Sequence, residues 1–96
     1  MKVLWTEEAL HDLDEIADYL ITHFPAVAPL LAKRINDTVA RIRRWPQSAR
    51  TSAGRPNVRV VPLGRFPYKI FYRVREDAIE VLHVHHGARQ PWDEQA

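Results

Sequence analysis

The sequence has 96 residues, of which 46% are hydrophobic and 27% are charged, and it contains no cysteine. This length and balance are typical of one globular domain over residues 1–96 and exclude a disordered chain. The apolar runs are far shorter than the roughly 20 residues of a membrane helix, and residues 1–8 lack the apolar core of a signal peptide. Since no thiol is available for disulfides, we expect a protein of the reducing cytoplasm with no membrane partner.

The net charge of +2 conceals three segments of alternating sign. Residues 1–32 hold one lysine against six carboxylates, and residues 76–96 hold one arginine against five. Between them, residues 33–75 hold twelve lysines and arginines against Asp37 alone. Most of these bases are arginines, whose guanidinium groups suit carboxylates and phosphates. The middle segment therefore indicates a surface for a polyanion or an acidic protein segment, with a solvated basic face as the alternative.

The first half of the chain predicts a short strand and two helices. Residues 2–5 are β-prone, and Thr6 is a good N-cap for a helix with an apolar stripe that ends at Phe24-Pro25. A second helix ends at Trp45-Pro46, and the short connection makes the pair an antiparallel hairpin. The two stripes expected to face the core are Ala9, Leu10, Leu13, Ile16, Ala17, Leu20 and Ile21, then Leu31, Ile35, Val39 and Ile42.

The second half predicts a loop followed by three strands. Residues 46–57 are rich in Pro, Ser, Gly and Asn, which is typical of a loop. Residues 58–61 form a short strand that Pro62 ends, and residues 66–75 alternate between apolar and basic side chains. Residues 78–86 are β-prone with weaker alternation, which indicates a strand buried on both faces or a bulge. Residues 90–96 are expected to be a frayed tail.

The element order β-α-α-β-β-β predicts an α+β fold with two layers. The helical hairpin covers one face of an antiparallel sheet, and the first strand lies beside the last. Alternation places Lys69, Arg73 and Arg75 on the uncovered face of the sheet, and we expect Arg59 to join them from the neighbouring strand. This face is the candidate binding surface.

Five histidines raise the question of a metal site. His83, His85 and His86 cluster on the last strand, with His83 and His85 on one face and His86 on the other. A zinc site needs three or four ligands around one point, and neither H-E-x-x-H nor a cysteine pair is present. We therefore predict no metal and no cofactor, and interpret these histidines as half-buried polar groups at a strand end.

The remaining chemistry lies on the basic sheet face. No nucleotide-binding or hydrolase motif occurs, and the acidic face of the first helix is interpreted as a solvated face. Arginine and lysine with nearby histidine can bind a phosphodiester and transfer protons near neutral pH, which would support RNA cleavage. The same face can bind an acidic protein helix, and the residues by themselves leave both alternatives open.

Several motifs occur in a familiar order along residues 2–91. They are Leu4-Trp5-Thr6, the helix pattern from Ala9-Leu10 to Tyr19-Leu20, Trp45-Pro46-Gln47-Ser48, the run from Val60-Val61-Pro62-Leu63-Gly64-Arg65 to Phe71-Tyr72-Arg73-Val74, and His86-Gly87-Ala88-Arg89. In this order and spacing the chain resembles the RelE/ParE superfamily of toxins from bacterial type II toxin–antitoxin systems. The resemblance implies the same fold and a cognate antitoxin as partner in a hetero-oligomeric complex.

The superfamily implies two different activities. RelE-like members cut mRNA in the ribosome, whereas ParE-like members poison DNA gyrase. The Trp45-Pro46 helix exit, the turn at residues 62–65 and the run at residues 71–74 are more similar to ParE and its plasmid-stabilisation relatives. Inhibition of DNA gyrase is therefore the expected function, with ribosome-dependent mRNA cleavage as the alternative. A degenerate, non-toxic protein that only binds its antitoxin is the third hypothesis.

The resemblance also implies candidate residues for each activity. If the protein is a nuclease, Lys69 stands where RNA-cutting members carry a strand arginine, Arg89 matches their second catalytic arginine, and His86 replaces their C-terminal acid. For binding of the antitoxin or the target, the expected residues are Arg59, Arg65, Lys69, Arg73, Arg75 and Arg89.

Overall fold

The computed structural model describes residues 1–87, so Arg89 and the predicted tail lie outside the described residues. Two helices pack on one face of a five-stranded sheet of order β1-β5-β4-β3-β2. The two-layer α+β fold and the position of the first strand beside the last are confirmed. The elements are β1 (Lys2–Trp5), α1 (Glu7–His23), α2 (Ala28–Arg44), β2 (Arg50–Ser52), β3 (Arg55–Pro62), β4 (Tyr68–Arg75) and β5 (Ala78–His86).

The sheet differs from the prediction in two ways. First, it is mixed, because β1 runs parallel to β5 while the other neighbours are antiparallel. A parallel pair needs a long crossover, which the helical hairpin and the intervening strands supply. Second, the predicted loop contains β2, which pairs with β3 through a register shift between Thr51 and Ser52. Part of this segment therefore forms a β-hairpin, which its content of Pro, Ser, Gly and Asn did not predict.

The helix ends follow the local signals in the sequence. Thr6 Oγ1 accepts a hydrogen bond from the Ala9 amide at 3.1 Å, and the Phe24 amide closes α1 on Leu20 O at 2.7 Å. Pro29 stands in the first turn of α2, where a missing N–H costs little. Among the described residues, neither helix is long and apolar enough to span a membrane.

The core lies between the helices and the sheet face that they cover, which we call the helix face. It joins one narrow stripe of each helix to the strands. The prediction was wrong for Leu10, Ala17 and Ile21, which are exposed. Because a helix packed on a sheet buries only the row of side chains that faces the sheet, the side chains one position away turn to solvent. The buried members are Ala9, Leu20, Leu31, Ile35, Ile42, Val61, Leu63, Ile70, Tyr72, Ile79, Val81 and Val84.

The irregular pattern of the last strand arises from a bulge. Tyr72 pairs with Val81 but the adjacent Phe71 pairs with His83, so Leu82 is the extra residue on β5. The bulge returns Val84 to the helix face and places His83 on the opposite face, which we call the open face. Of the two alternatives that weak alternation suggested, the bulge is confirmed.

Candidate functional site

The open face carries the basic residues that alternation placed there. Lys69, Arg73 and Arg75 lie on this face of β4, since the intervening side chains belong to the helix-face core. Arg73 Nε is 2.5 Å from Glu80 Oε1 on β5, and both side chains are mostly buried. The charge of Arg73 is therefore neutralised by Glu80 on the neighbouring strand. The exposed Arg75, at the end of β4, keeps its positive charge available for a partner.

Exchange of this ion pair tests its contribution to stability. We expect Arg73→Glu to lower the free energy of unfolding by about 1–3 kcal/mol, because two carboxylates would face each other without a donor. The double variant Arg73→Glu with Glu80→Arg should recover most of the loss, as measured by urea denaturation. Arg75→Glu is the matched control and should stay within about 0.5 kcal/mol of wild type. A double variant no more stable than Arg73→Glu would contradict this assignment.

Arg59 does not lie where we expected it. It pairs with Tyr72, and its Nη1 donates hydrogen bonds to Ala49 O at 2.5 Å and Gln47 O at 3.2 Å. Tyr72 donates its hydroxyl to Pro46 O at 2.8 Å, and burial raises the pKa of this phenol. Arg59 lies on the helix face, because the neighbouring valines of β3 occupy the open face. Its hydrogen bonds hold the segment that follows α2.

The residues of the hypothetical nuclease set lie on different surfaces. Lys69 pairs with His85 on the open face, whereas His86 pairs with Tyr68, whose side chain belongs to the helix face. The His86 and Tyr68 rings meet edge to face with centroids 5.5 Å apart. Within residues 1–87, the histidine opposite Lys69 is thus His85, and a catalytic role for any of these residues stays a prediction.

A polar cluster that the sequence analysis missed lies at the seam between α1 and β5. Beyond the end of β1, side chains from the start of α1 make hydrogen bonds to the backbone of β5 along its edge. Thr6 Oγ1 donates to Leu82 O at 3.1 Å, and the Val84 amide donates to Asp12 Oδ2 at 3.0 Å. The same Asp12 oxygen lies 3.4 Å from His83 Nδ1 and 3.9 Å from His85 Nε2. Asp12 was assigned to a solvated helix face, and no local spacing connects it to histidines more than 70 positions away.

An apolar groove of 660 Å³ opens between the helical hairpin and the turn after β3. Tyr19 and Phe24 stand at its mouth with about half of their surface exposed. The Arg34 guanidinium lies 6.0 Å from the centre of the Phe66 ring, and a Cβ at Gly64 would collide with it. The lining residues are Glu15, Ile16, Tyr19, Leu20, Phe24, Val27, Phe66, Pro67, Tyr68 and His86.

The groove is lined mainly by apolar side chains, with a few polar groups among them. Burial, together with the neighbouring Tyr19, raises the pKa of Tyr68 above its usual value. Arg34 and Arg65 are exposed; Arg34 lies beside Phe66 of the groove, and Arg65 directly precedes Phe66 in the chain. Such a surface suits an amphipathic segment that presents both apolar side chains and carboxylates. Sequence periodicity could not reveal it, because Tyr19 and Phe24 fall outside the core stripe.

The chain is similar over nearly its full length to proteins named as toxins. The protein named "Putative toxin Y4kP" of Sinorhizobium fredii is 35% identical over 95% of this chain and 92% of its own. Toxin RelE2 of Caulobacter vibrioides is 32% identical over 92% of this chain and 97% of its own.

The fold is likewise similar to those of solved toxins. A chain of the chromosomal ParDE toxin–antitoxin system of P. aeruginosa superposes with a TM-score of 0.78 at 28% identity, covering 91% of this chain and 96% of that one. The isolated E. coli RelE toxin shares the fold alone, with a TM-score of 0.66 at 15% identity over 98% of this chain and 92% of its own.

A family model matches nearly the whole chain. The model for the ParE toxin of the type II toxin–antitoxin system, parDE, matches residues 3–91. These residues include both helices, the groove and all five strands except Lys2 at the start of β1. The chain belongs to the ParE toxin family of type II toxin–antitoxin systems.

Proposed function

We propose that this toxin inhibits DNA gyrase in the cytoplasm and is neutralised by a cognate antitoxin, in a module that would contribute to plasmid stabilisation. The family model and the ParDE relative support the ParE branch over the RNA-cutting branch. The observation that carries the proposal is the separation of Lys69 and His86 onto opposite faces of the sheet. Proton transfer and phosphate stabilisation must converge on one reacting group, whereas inhibition by binding needs only an intact surface.

The antitoxin is proposed to bind across the groove and onto the basic residues. The groove offers exposed Tyr19 and Phe24 as apolar anchors, and aromatic side chains of this kind dominate many interfaces. The exposed Arg34 and Arg65, with Lys69 and Arg75 on the open face, complement carboxylates of the partner. An amphipathic acidic segment satisfies both features, which makes a toxin–antitoxin hetero-oligomer the expected resting state.

Cleavage of mRNA is the second candidate, and one observation favours it. Lys69 and His85 are direct neighbours across β4 and β5, so a cation and an imidazole share the open face. One relative also carries the name toxin RelE2, which is the name of the RNA-cutting branch. In that case His85, and not His86, would be the group positioned to transfer a proton beside Lys69.

Induced expression in bacteria separates the two activities. We expect the wild-type protein to trigger the DNA-damage response while mRNA stays intact, and the purified protein to inhibit supercoiling by gyrase. His85→Ala and His86→Ala should remain toxic, because removal of a proton-transfer group would matter only to a nuclease, where it costs about 10²–10⁴ in rate. The control is a melting curve of each variant and its binding to the antitoxin.

Three outcomes would change this conclusion. Degraded mRNA together with loss of toxicity in folded His85→Ala would establish the nuclease and reject gyrase. Loss in His86→Ala alone would establish a nuclease built on the other face. Tight antitoxin binding without growth arrest, DNA damage or mRNA loss would identify a degenerate protein that only binds its partner.

A further inference from the structure

We propose that Asp12, His83 and His85 form a three-ligand site for a zinc-class divalent metal ion at the seam between α1 and β5. The proposal is independent of the cellular target of the toxin. It replaces our expectation from the sequence that no metal site exists. That expectation considered the histidines of β5 alone, whereas folding brings a carboxylate from α1 to the same point.

The distances fit a tetrahedral ion. Zinc binds imidazole nitrogen and carboxylate oxygen at about 2.0–2.2 Å, which places neighbouring ligand atoms of a tetrahedron about 3.3–3.6 Å apart. Asp12 Oδ2 lies 3.4 Å from His83 Nδ1 and 3.9 Å from His85 Nε2, and all three atoms lie within 4.8 Å of one another. A small rotation of the His85 ring therefore completes three corners of the coordination sphere.

The donor set selects the class of metal. Two imidazole nitrogens with one carboxylate oxygen is the ligand chemistry of zinc sites that keep an open position. Calcium and magnesium prefer oxygen ligands throughout, so they fit this site poorly. With three protein ligands, the fourth position is left for a water molecule or an anion.

His83 gives independent support. Its Nδ1 is buried and, within residues 1–87, has no hydrogen-bond partner, although a carboxylate oxygen lies 3.4 Å away. A buried polar atom without a partner is unfavourable, and each imidazole nitrogen of a histidine can serve as a metal ligand. A cation between the two atoms would satisfy both of them.

The ligands are already held in place. The Val84 amide donates to Asp12 Oδ2 at 3.0 Å, and a hydrogen bond of this kind orients a metal-binding carboxylate. The Asp12, His83 and His85 side chains are 16%, 26% and 22% exposed, so an ion can enter from solvent but is largely enclosed. Because the site joins α1 to β5, bound metal would cross-link distant parts of the chain and stabilise the fold.

Zinc titration of the full-length, untagged chain tests the proposal. After treatment with EDTA, calorimetry with ZnCl₂ should show one saturable site, the melting temperature should rise with zinc, and MgCl₂ should have no such effect. Asp12→Asn, His83→Gln and His85→Gln should each weaken zinc binding by at least about tenfold. The amide oxygen of the Asp12→Asn variant can still accept the Val84 amide, which preserves the local fold. His11→Gln and His86→Gln are matched controls and should bind zinc like wild type.

Two results would overturn the site. One is wild-type protein without saturable zinc binding, and the other is zinc binding of wild-type strength in the three folded variants. Should a variant fail to fold, imidazole NMR of the wild-type protein decides the matter. Zinc should then perturb His83 Nδ1 and His85 Nε2, and perturbation of His11, His23 or His86 instead would disprove the assignment.

Discussion

Replacement of Ile42 by alanine is expected to lower the free energy of unfolding by about 2–5 kcal/mol. Ile42 is 2% exposed and lies in the last turns of α2, in the cluster that joins both helices to the sheet. The substitution removes buried methyl and methylene groups and leaves a cavity that the sheet cannot close. Since small domains have total stabilities of about 5–15 kcal/mol, this single change removes a large fraction of the total.

Urea denaturation of the purified toxin measures this effect. Ile21→Ala is the matched control, because Ile21 is 63% exposed on α1 and the chemical change is identical. The control should remain within about 0.5 kcal/mol of wild type. If both variants lose the same stability, the assignment of the buried helix stripes is incorrect.

Simultaneous replacement of Tyr19 and Phe24 by alanine is expected to weaken antitoxin binding by about 100-fold or more. Both residues are 52% exposed at the groove, and the centroids of their rings lie 6.2 Å apart, so they offer one continuous aromatic surface. Loss of an interface hot spot costs at least about 2 kcal/mol, and each 1.4 kcal/mol corresponds to a factor of ten in affinity. Because neither residue belongs to the buried core, the fold should persist.

Calorimetric titration with the cognate antitoxin measures the change. Leu10→Ala is the control, since Leu10 is 50% exposed on the same helix but does not line the groove. In cells, the double variant should stay toxic even when the antitoxin is co-expressed. Unchanged affinity in a folded double variant would show that the antitoxin binds elsewhere, and the basic open face would then be the next surface to test.

Local rules of backbone geometry account for much of the fold. The Thr6 cap, Pro25 after α1 and Pro46 after α2 act on the dihedral angles of adjacent residues, so the helix ends could be predicted without any tertiary information. Alternation along β4 likewise assigned Lys69 and Arg73 to the open face, because the side-chain period of a strand does not depend on its neighbours.

The groove and the polar seam depend on contacts that no local pattern encodes. Parallel pairing of β1 with β5 ends at Trp5, so α1 completes the edge of β5 and delivers Asp12 there. The bulge opposite Phe71 then determines which histidines face that carboxylate. Composition and periodicity therefore determined the two-layer arrangement of the helices and the main strands, but not β2 or the parallel pairing of β1 with β5. The order of the motifs indicated the family. Only the long-range register of the strands decided that Arg59 turns to the helix face and that His83 meets Asp12, because a shift by one residue moves a side chain to the opposite face of a sheet.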